Sequence, residues 1–350
     1  MPHTALQSPE RAFSANALDT LAQLASLPTR LPERAAQLTA ERGASFDAVS
    51  VSEKSLASVF RTRAKAKAFT NKLALTLCTQ VPESPLVKQY RSTYYCSSVL
   101  VQDGNKITSH YCGQRWCAVC NRIRTGKNLN RFKPSFNSMA EPMFLTLTAP
   151  TISADCLNDE IDLRLAQFSR IVKTLKQKLR RKGQSGQVQL IRKIEVTYSN
   201  GKYHPHFHCI VEGKENAEAL LDYWLSTRTD ATRSGQDCKS ADVGSLSELF
   251  KYTTKLVSGK KGKQQIYPAK VLDTIFQALH TRRTFQTYGS LEQAIEEVEN
   301  YQSVGFDVPA ASQSFVWVDE FHNWLNSDTG ELIVDTPDTS EIIAIFSDST

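Results

Sequence analysis

Two extended segments separated by an Asn-Gly pair constrain the fold of this chain more than any other local feature. Residues 188–198 and 204–211 are rich in Val, Ile, Leu, Tyr and Phe, the residue types that favour strands. Ser199-Asn-Gly-Lys202 lies between them, and Asn-Gly is the preferred pair for a two-residue hairpin turn. The sequence therefore predicts an antiparallel β-hairpin over residues 188–211.

The predicted hairpin brings together residues that can hold a metal ion. Successive side chains of a strand point to opposite faces, so His206 and His208 share one face. The upstream strand brings Glu195 toward them. Two neutral nitrogens and one anionic oxygen suit a divalent cation that also binds a phosphate group, so we expect Mn²⁺ or Mg²⁺. A surface histidine pair and a hydrolase zinc site are the alternatives, and His204 is a further possible ligand.

A second motif follows about forty residues later. At 100° per residue, Glu248, Tyr252 and Lys255 fall within roughly 60° of one another on a helix. This face would carry a base, a nucleophile and a cation. A neutral phenol is a poor nucleophile, so Tyr252 would need Lys255 and the metal ion to assist its attack on phosphorus. The alternative is an ordinary amphipathic helix with a solvated ion pair.

These motifs, in this order, resemble those of plasmid rolling-circle replication initiators of the HUH endonuclease superfamily, in particular the class with a single catalytic tyrosine. The counterparts are the strand at 144–150, the histidine strand at 204–211 and the tyrosine helix at 248–255. Residues 271–291 also resemble the conserved end of the family. The resemblance covers roughly residues 90–291.

The resemblance implies an enzymatic mechanism. Tyr252 would attack one phosphodiester of origin DNA and keep the 5′ phosphate, while the 3′-OH primes synthesis. The metal ion held by His206 and His208 would polarise the scissile phosphate. In the two-tyrosine branch a second tyrosine lies one helical turn before the first, and Glu248 occupies that place here. By analogy, Glu248 would activate water as a general base in the terminating cleavage.

Four cysteines predict a structural zinc site. They are spaced C-x15-C-x4-C-x2-C, and their positions are Cys96, Cys112, Cys117 and Cys120. Without a secretory signal, four closely spaced thiols favour tetrahedral Zn²⁺ over disulfides. His110 is an alternative ligand in place of Cys112. The other four cysteines of the chain are scattered singly and carry no prediction.

The periodicity predicts an α+β fold. Residues 161–179 carry apolar side chains at helical spacing, between strands near 143–148 and 188–198. We expect an HUH-type central antiparallel sheet flanked by helices, with the histidine strand central and the tyrosine helix across it. A small zinc-binding insertion and a peripheral helical N-terminal segment complete the predicted fold.

The same reading divides the chain into four parts. We expect an N-terminal helical or flexible segment at 1–85, a zinc-binding module at 86–135, a nicking-joining domain at 136–291 and a C-terminal segment at 292–350. In the last part, the aromatic residues of 315–324 predict a small packed element. The acidic end at 335–350 predicts disorder.

Charge and hydropathy indicate a cytoplasmic DNA-binding protein. The net charge is +6, and eight acidic residues with no Lys or Arg follow Val318, so the preceding part carries +14. A positive field of this size promotes salt-sensitive contacts with DNA phosphates. The chain starts without the basic and apolar regions of a signal peptide, and it contains no run of eighteen apolar residues. We therefore expect neither secretion nor contact with a membrane.

The motifs leave two other function classes open. The sequence carries no G-x-x-x-x-G-K-[ST] phosphate loop, so an initiator of this kind would use a host helicase and a host DNA polymerase as partners. A mobilisation relaxase is disfavoured because Tyr252 follows the histidines instead of preceding them. An HUH transposase of a mobile element shares this order. A non-catalytic, zinc-containing DNA-binding regulator is the third class.

Overall fold

The computed structural model describes residues 53–103, 106–183, 186–250, 256–258, 264–291, 313–335 and 337–347. The strands are β1 (Val99–Asp103), β2 (Lys106–Ser109), β3 (Pro142–Leu147), β4 (Leu190–Ser199), β5 (Lys202–Glu212), β6 (Asp237–Ser240), β7 (Val257–Ser258), β8 (Gln265–Ile266), β9 (Phe285–Tyr288), β10 (Gln313–Val318) and β11 (Asn323–Asn326). The helices are α1 (Glu53–Gln80), α2 (Val87–Tyr94), α3 (Ala118–Asn137), α4 (Leu157–Arg181), α5 (Lys214–Thr227), α6 (Val243–Phe250), α7 (Ala269–His280) and α8 (Ser340–Ser347).

A five-stranded antiparallel sheet forms the centre of the fold. Its strand order is β6-β3-β5-β4-β9, so the histidine strand β5 is the middle strand, as predicted. Residues 271–291, which resemble the conserved end of the initiator family, form most of α7 and the edge strand β9. The α+β class with antiparallel sheets and flanking helices is thus confirmed.

The β4–β5 hairpin follows the prediction in its turn and its register. Asn200 and Gly201 have φ angles of 50° and 74°, both in the left-handed region that a type I′ turn requires. Ser199 pairs with Lys202 across this turn. Because side chains alternate along both strands, the turn decides which residues of β4 and β5 face each other over the whole hairpin.

One face of the central sheet carries the main hydrophobic core. The apolar stripe of α4 packs against this face, and the rings of Phe168 and Phe207 lie 5.0 Å apart. α5 and α7 contribute to the same core, where Trp224 and Ile275 are fully buried. The predicted long helix therefore packs on the sheet as expected.

Two helices cover part of the opposite face. α3 and α6 meet there, with the rings of Phe132 and Phe250 stacked 5.3 Å apart and Phe285 of β9 next to them. Phe144 of β3 belongs to this cluster and stacks on His208 at 5.5 Å. His208 therefore packs against an aromatic side chain of this cluster, and the histidine face is partly covered by helices.

A second sheet joins distant parts of the chain. Its order is β11-β10-β1-β2, and Val99 of β1 pairs with Val316 of β10. The sheet packs on α1, where Phe60 contacts Phe315 and Trp324 is fully buried. This confirms the small packed element predicted around 315–324. The boundaries between the four predicted parts stay predictions.

The acidic end of the chain differs from its prediction. Residues 340–347 form α8, and Phe346 is buried against Phe69 of α1, with 5.4 Å between the rings. The prediction of disorder was wrong for this segment because Ile342, Ile345 and Phe346 pack against an apolar surface that local composition does not reveal. Residues 1–52 of the predicted N-terminal segment lie outside the described residues. Across the described ranges, no helix combines the length and apolar character needed to cross a bilayer.

The hairpin turn yields a matched test. A Cβ at Gly201 or at Gly126 of α3 would meet no atom within 4 Å, but only Gly201 has a positive φ. We expect Gly201→Ala to destabilise the protein by about 1–2 kcal/mol and Gly126→Ala to stabilise it by about 0.5–1 kcal/mol. Urea titration monitored by circular dichroism measures both. Equal effects of the two variants would contradict a type I′ turn at 200–201.

Candidate functional site

The hairpin register assembles a group of three potential metal ligands on one sheet face. Glu195 of β4 lies directly opposite His206 of β5, and His208 is two residues further along the same face. The Nε2 atoms of the two histidines are 3.2 Å apart, and His208 Nε2 is 3.9 Å from Glu195 Oε2. One ligand atom from each residue lies within 4.8 Å of the others. The predicted trio is therefore brought together.

Each imidazole is oriented by a contact between its Nδ1 atom and an oxygen atom of a neighbouring residue. His206 Nδ1 is 3.0 Å from the carbonyl oxygen of His204, which can only accept, so Nδ1 carries the proton and Nε2 presents a lone pair. His208 Nδ1 is 3.2 Å from the hydroxyl of Thr146 on β3. Such outer hydrogen bonds hold metal-ligating histidines in one tautomer and ring orientation.

The spacing of the two imidazoles fits a single bound ion. Two ligands about 2.1 Å from one ion at angles of 90–109° are separated by about 3.0–3.4 Å, and the two Nε2 atoms are 3.2 Å apart. Two nitrogens and one carboxylate oxygen leave further coordination positions open for water or a phosphate. The residues thus fit a divalent cation, and the donor set does not by itself distinguish Mn²⁺ from Mg²⁺.

The electrostatics keep the three ligands in metal-binding forms. Burial lowers the pKa of His206, and burial together with the neighbouring His206 lowers the pKa of His208 to about 4. Burial alone would raise the pKa of Glu195, but Lys193 and the two histidines bring it below its usual value. Near neutral pH the site therefore holds two neutral imidazoles and one carboxylate.

His204 stands apart from this trio. Its ring stacks on that of His206 with 5.2 Å between centroids, and it pairs with Thr197 of β4. Burial and the neighbouring His206 lower its pKa to about 4. Among the described residues, the potential ligand group at the hairpin contains Glu195, His206 and His208 without His204. We therefore assign His204 the role of carbonyl acceptor for His206.

The tyrosine motif is described only in part. Glu248 lies on α6, which covers the histidine face, and its carboxylate raises the pKa of His208, opposing the larger effect of burial. The predicted helix therefore does cross the sheet up to Phe250 and brings Glu248 near the metal ligands. Tyr252 and Lys255, the predicted nucleophile and cation, lie outside the described residues.

The four predicted cysteines form a second group of potential ligands. Cys96, Cys112, Cys117 and Cys120 present sulfurs within 4.8 Å of one another, and His110 is not a member of this group. The Cys96–Cys120, Cys96–Cys117 and Cys112–Cys120 separations are 3.5, 3.5 and 3.7 Å. A tetrahedral zinc ion with bonds of about 2.3 Å requires sulfurs about 3.8 Å apart. The cluster therefore fits four-coordinate zinc.

Local structure explains how the sulfurs converge. Cys117 is the N-cap of α3, and its sulfur accepts a hydrogen bond from the amide of Cys120 at 3.4 Å. The amide of Cys112 donates to Cys96 at 3.4 Å. Amide groups directed at sulfur stabilise thiolates, the form of cysteine that binds metal.

Buried cations surround the cysteine cluster. Burial lowers the pKa of Lys67 to about 8 and that of Arg63 to about 10, and nearby cysteines oppose both shifts. Burial also lowers the pKa of Arg124, which cysteines again oppose. Zinc with four thiolates carries two negative charges, so these cations are suited to neutralise it. The sequence did not reveal this role because Arg63 and Lys67 come from α1 and Arg124 comes from α3, more than fifty residues later.

The cysteine module is tied directly to the histidine face. The hydroxyl of Thr125 on α3 donates to the carbonyl of Phe250, the last residue of α6, at 2.7 Å. Arg115 donates to the carbonyl of Leu279 near the end of α7 at 2.6 Å, and Trp116 stacks on Phe276 at 4.8 Å. The loop and helix that follow Cys112 thus support both α6 and α7.

The sequence alone did not identify Lys193 as a residue of the site. Lys193 lies two residues before Glu195, and its ammonium is 3.1 Å from Glu195 Oε2. The alternation of β4 could have placed it on the histidine face. Its burial, with a side chain only 2% exposed, depends on β9 and the helices above and was not predictable from that segment.

Comparison with known proteins agrees with the geometry. Residues 105–216 match the family described as Replication protein, a range that spans three of the four clustered cysteines and the whole histidine hairpin. "Protein rep" of Staphylococcus aureus is 26% identical over 168 residues, which cover 45% of this chain and 67% of that protein. No solved structure matches the chain significantly. These matches support the resemblance to plasmid replication initiators: residues 105–216 are similar to the Replication protein family, and the chain is similar to a protein named "Protein rep".

Proposed function

We propose that this protein initiates rolling-circle replication as a single-tyrosine HUH endonuclease that nicks one strand of origin DNA in the cytoplasm. The observation that carries this proposal is the convergence of Glu195, His206 and His208 on one face beneath the helix that bears Glu248. The potential metal ligands and the Glu248 carboxylate thus lie on the same side of the sheet. Tyr252 and Lys255 follow Glu248 in the sequence.

The reaction is a transesterification at phosphorus. The Tyr252 oxygen forms a bond to the scissile phosphorus as the bond from phosphorus to the 3′ oxygen breaks. The phenol loses its proton, and the departing 3′ oxygen gains one. The products are a 3′-OH, which primes synthesis, and a 5′-phosphotyrosyl linkage. Because a phosphodiester replaces a phosphodiester, a later 3′-OH can reverse the step without ATP.

The hairpin residues would serve to position the scissile group. His206 and His208 present neutral nitrogens, Glu195 presents a carboxylate, and Thr146 orients the ring of His208. A divalent cation held there would supply Lewis acidity to the phosphate and stabilise the charge on its oxygens. Lys255 would provide a further cation for the phenolate.

Glu248 would take part in the terminating cleavage. Its carboxylate lies near His208, on the same side of the sheet as the potential metal ligands. A carboxylate at this place can accept a proton from water, whereas a second tyrosine would begin another round of strand transfer. Attack by water at the second cleavage would leave a free end, which suits a replicator that stops after one round.

We further propose that Cys96, Cys112, Cys117 and Cys120 bind one structural zinc ion. The sulfur separations, the amide groups directed at two of the sulfurs and the surrounding cations support this assignment. The ion would hold the start of α3 in place, and α3 in turn supports α6 through Thr125. A host helicase and a host polymerase would unwind and copy the nicked DNA.

The nuclease assignment is tested by Tyr252→Phe. Purified protein with Mn²⁺ and a pool of single-stranded and hairpin oligonucleotides should form a covalent DNA adduct, detected by denaturing electrophoresis and located by mass spectrometry. We expect Tyr252→Phe to lower adduct formation by at least about 10³-fold, because phenylalanine has no hydroxyl oxygen to form the bond to phosphorus. DNA binding should persist.

Tyr223→Phe on α5 is the matched control, because this half-buried tyrosine lies on the core side of the sheet. It should form the adduct normally. No adduct in the unaltered protein on any substrate, together with DNA binding that survives His206→Ala and His208→Ala, would instead support the non-catalytic regulator.

Glu248→Gln separates the two cleavages. We expect it to retain the tyrosyl adduct and to slow hydrolytic release at the second cleavage by about 10²-fold, because the amide cannot accept a proton from water. A suicide substrate carrying two nick sites, followed over time on denaturing gels, measures both steps. Glu215→Gln, an exposed glutamate at the start of α5, should leave both rates unchanged. Equal slowing of both steps would contradict a role confined to termination.

The zinc assignment is tested by Cys117→Ser. We expect the unaltered protein to contain about one zinc ion per chain by elemental mass spectrometry, and the variant to lose it and to unfold at lower temperature. Cys156→Ser is the matched control, because Cys156 is exposed and outside the cluster. It should keep the ion. Full zinc content in Cys117→Ser would overturn the assignment.

A further inference from the structure

A buried lysine contacts the carboxylate of the potential metal ligand Glu195. Lys193 lies on β4 directly opposite His208 of β5 and Phe285 of β9, with its side chain 2% exposed. Its Nζ is 3.1 Å from Glu195 Oε2, the same oxygen that lies 3.9 Å from His208 Nε2. A divalent cation bound by the trio would therefore have an ammonium group as its close neighbour.

The positive charge of Lys193 reaches every member of the trio. It lowers the pKa of Glu195, and it also lowers the pKa values of His206 and His208, although burial is the larger cause there. In a poorly solvated pocket such like-charge effects are weakly screened. A divalent ion entering between these side chains would meet the same repulsion.

The charge balance of the site indicates what relieves this repulsion. Without a metal ion, the Glu195 carboxylate and the Lys193 ammonium cancel, and the imidazoles are neutral. With the Glu248 carboxylate near His208 included, a divalent ion would leave one excess positive charge at the site, whereas the same group without Lys193 would be neutral. An anion at the open coordination position compensates for this excess, and a phosphodiester is the anion that the proposed reaction supplies.

We propose that Lys193 couples metal binding to DNA binding: its ammonium disfavours the divalent ion alone and favours the ion together with a phosphodiester. This inference rests on the proposed function. Thermodynamic linkage requires the effect to be reciprocal, so the metal ion strengthens binding of the phosphodiester by the same factor. Lys193 is then a binding residue for the scissile phosphate. The coupling keeps the fully assembled site rare until DNA is present.

The opposite role for Lys193 predicts the opposite sign. If the lysine served only to hold Glu195 in position, its removal would misplace that ligand and weaken metal binding. If it acts through its charge, removal strengthens binding of the ion alone. Lys193→Gln separates the two, because an amide can still donate to Glu195 Oε2 but carries no charge.

The test is a Mn²⁺ titration followed by electron paramagnetic resonance, with and without a single-stranded oligonucleotide. All proteins carry Tyr252→Phe, so that no cleavage occurs. We expect DNA to strengthen Mn²⁺ binding to the parent by about tenfold or more, within the usual range of coupling between sites. In Lys193→Gln, Mn²⁺ alone should bind about 5- to 10-fold more tightly, and the DNA effect should largely disappear.

Two further variants complete the set. Lys193→Arg retains the charge and should behave like the parent. Lys193→Met keeps the buried methylene stem and should shift Mn²⁺ binding in the same direction as Lys193→Gln, which protects the test if one variant folds poorly by circular dichroism.

Lys239→Gln is the matched control. Its Nζ is also 3.1 Å from a carboxylate, that of Asp237, but the two side chains are 60% and 53% exposed. Solvent screens such a charge, so Mn²⁺ binding should change by less than about twofold.

Weaker or unchanged Mn²⁺ binding in folded Lys193→Gln would overturn the proposal. The titration needs no cleavage, so its result is independent of the nuclease assignment. If no form with Tyr252 nicks DNA while Lys193→Gln still binds Mn²⁺ more tightly, the proposed nuclease function fails and the linkage through Lys193 stands. If nicking occurs and the lysine variants bind Mn²⁺ like the parent, the proposed nuclease function stands and the linkage through Lys193 fails.

Discussion

The pairing of β4 with β5 is the interaction on which the rest of the candidate site depends. Glu195 lies opposite His206 because Asn200 and Gly201 close a two-residue turn that sets the register. A shift of β5 by one residue relative to β4 would turn both histidines to the core face, where the aromatic side chain of Phe207 now packs, and would separate them from Glu195. Metal geometry, ring orientation and the position of Lys193 all follow from this register.

The second constraint is the cysteine cluster, which acts at a distance from the histidines. It fixes the start of α3, and α3 packs on the histidine face and hydrogen-bonds the end of α6 through Thr125. Arg115, between two of the cysteines, binds the end of α7. The two candidate metal groups therefore belong to one packed unit. Local melting around the cysteines would loosen the helix that bears Glu248 as well as the module itself.

Much of the fold and the site could be predicted because the signals are local. Strand alternation, the Asn-Gly turn and the spacing of the cysteines placed both ligand groups correctly, and the helical period of 161–179 placed α4 on the sheet. The errors and omissions concern burial. The acidic end was expected to be disordered, yet Phe346 packs on α1, and Lys193 looked like an ordinary strand residue. Neither the packing of Phe346 nor the burial of Lys193 is determined by the residues next to it in sequence.

The sequence by itself determined the hairpin, the residues that share its face, the cysteine set and the resemblance to replication initiators, because each depends on a short motif or spacing. Only the tertiary structure decided that β10 completes a sheet with β1, more than two hundred residues away in the chain. It alone showed that Thr125 supports α6 and that Lys193 is buried against Glu195. Long-range pairing and burial depend on which surfaces meet, and that is a property of the whole packed chain.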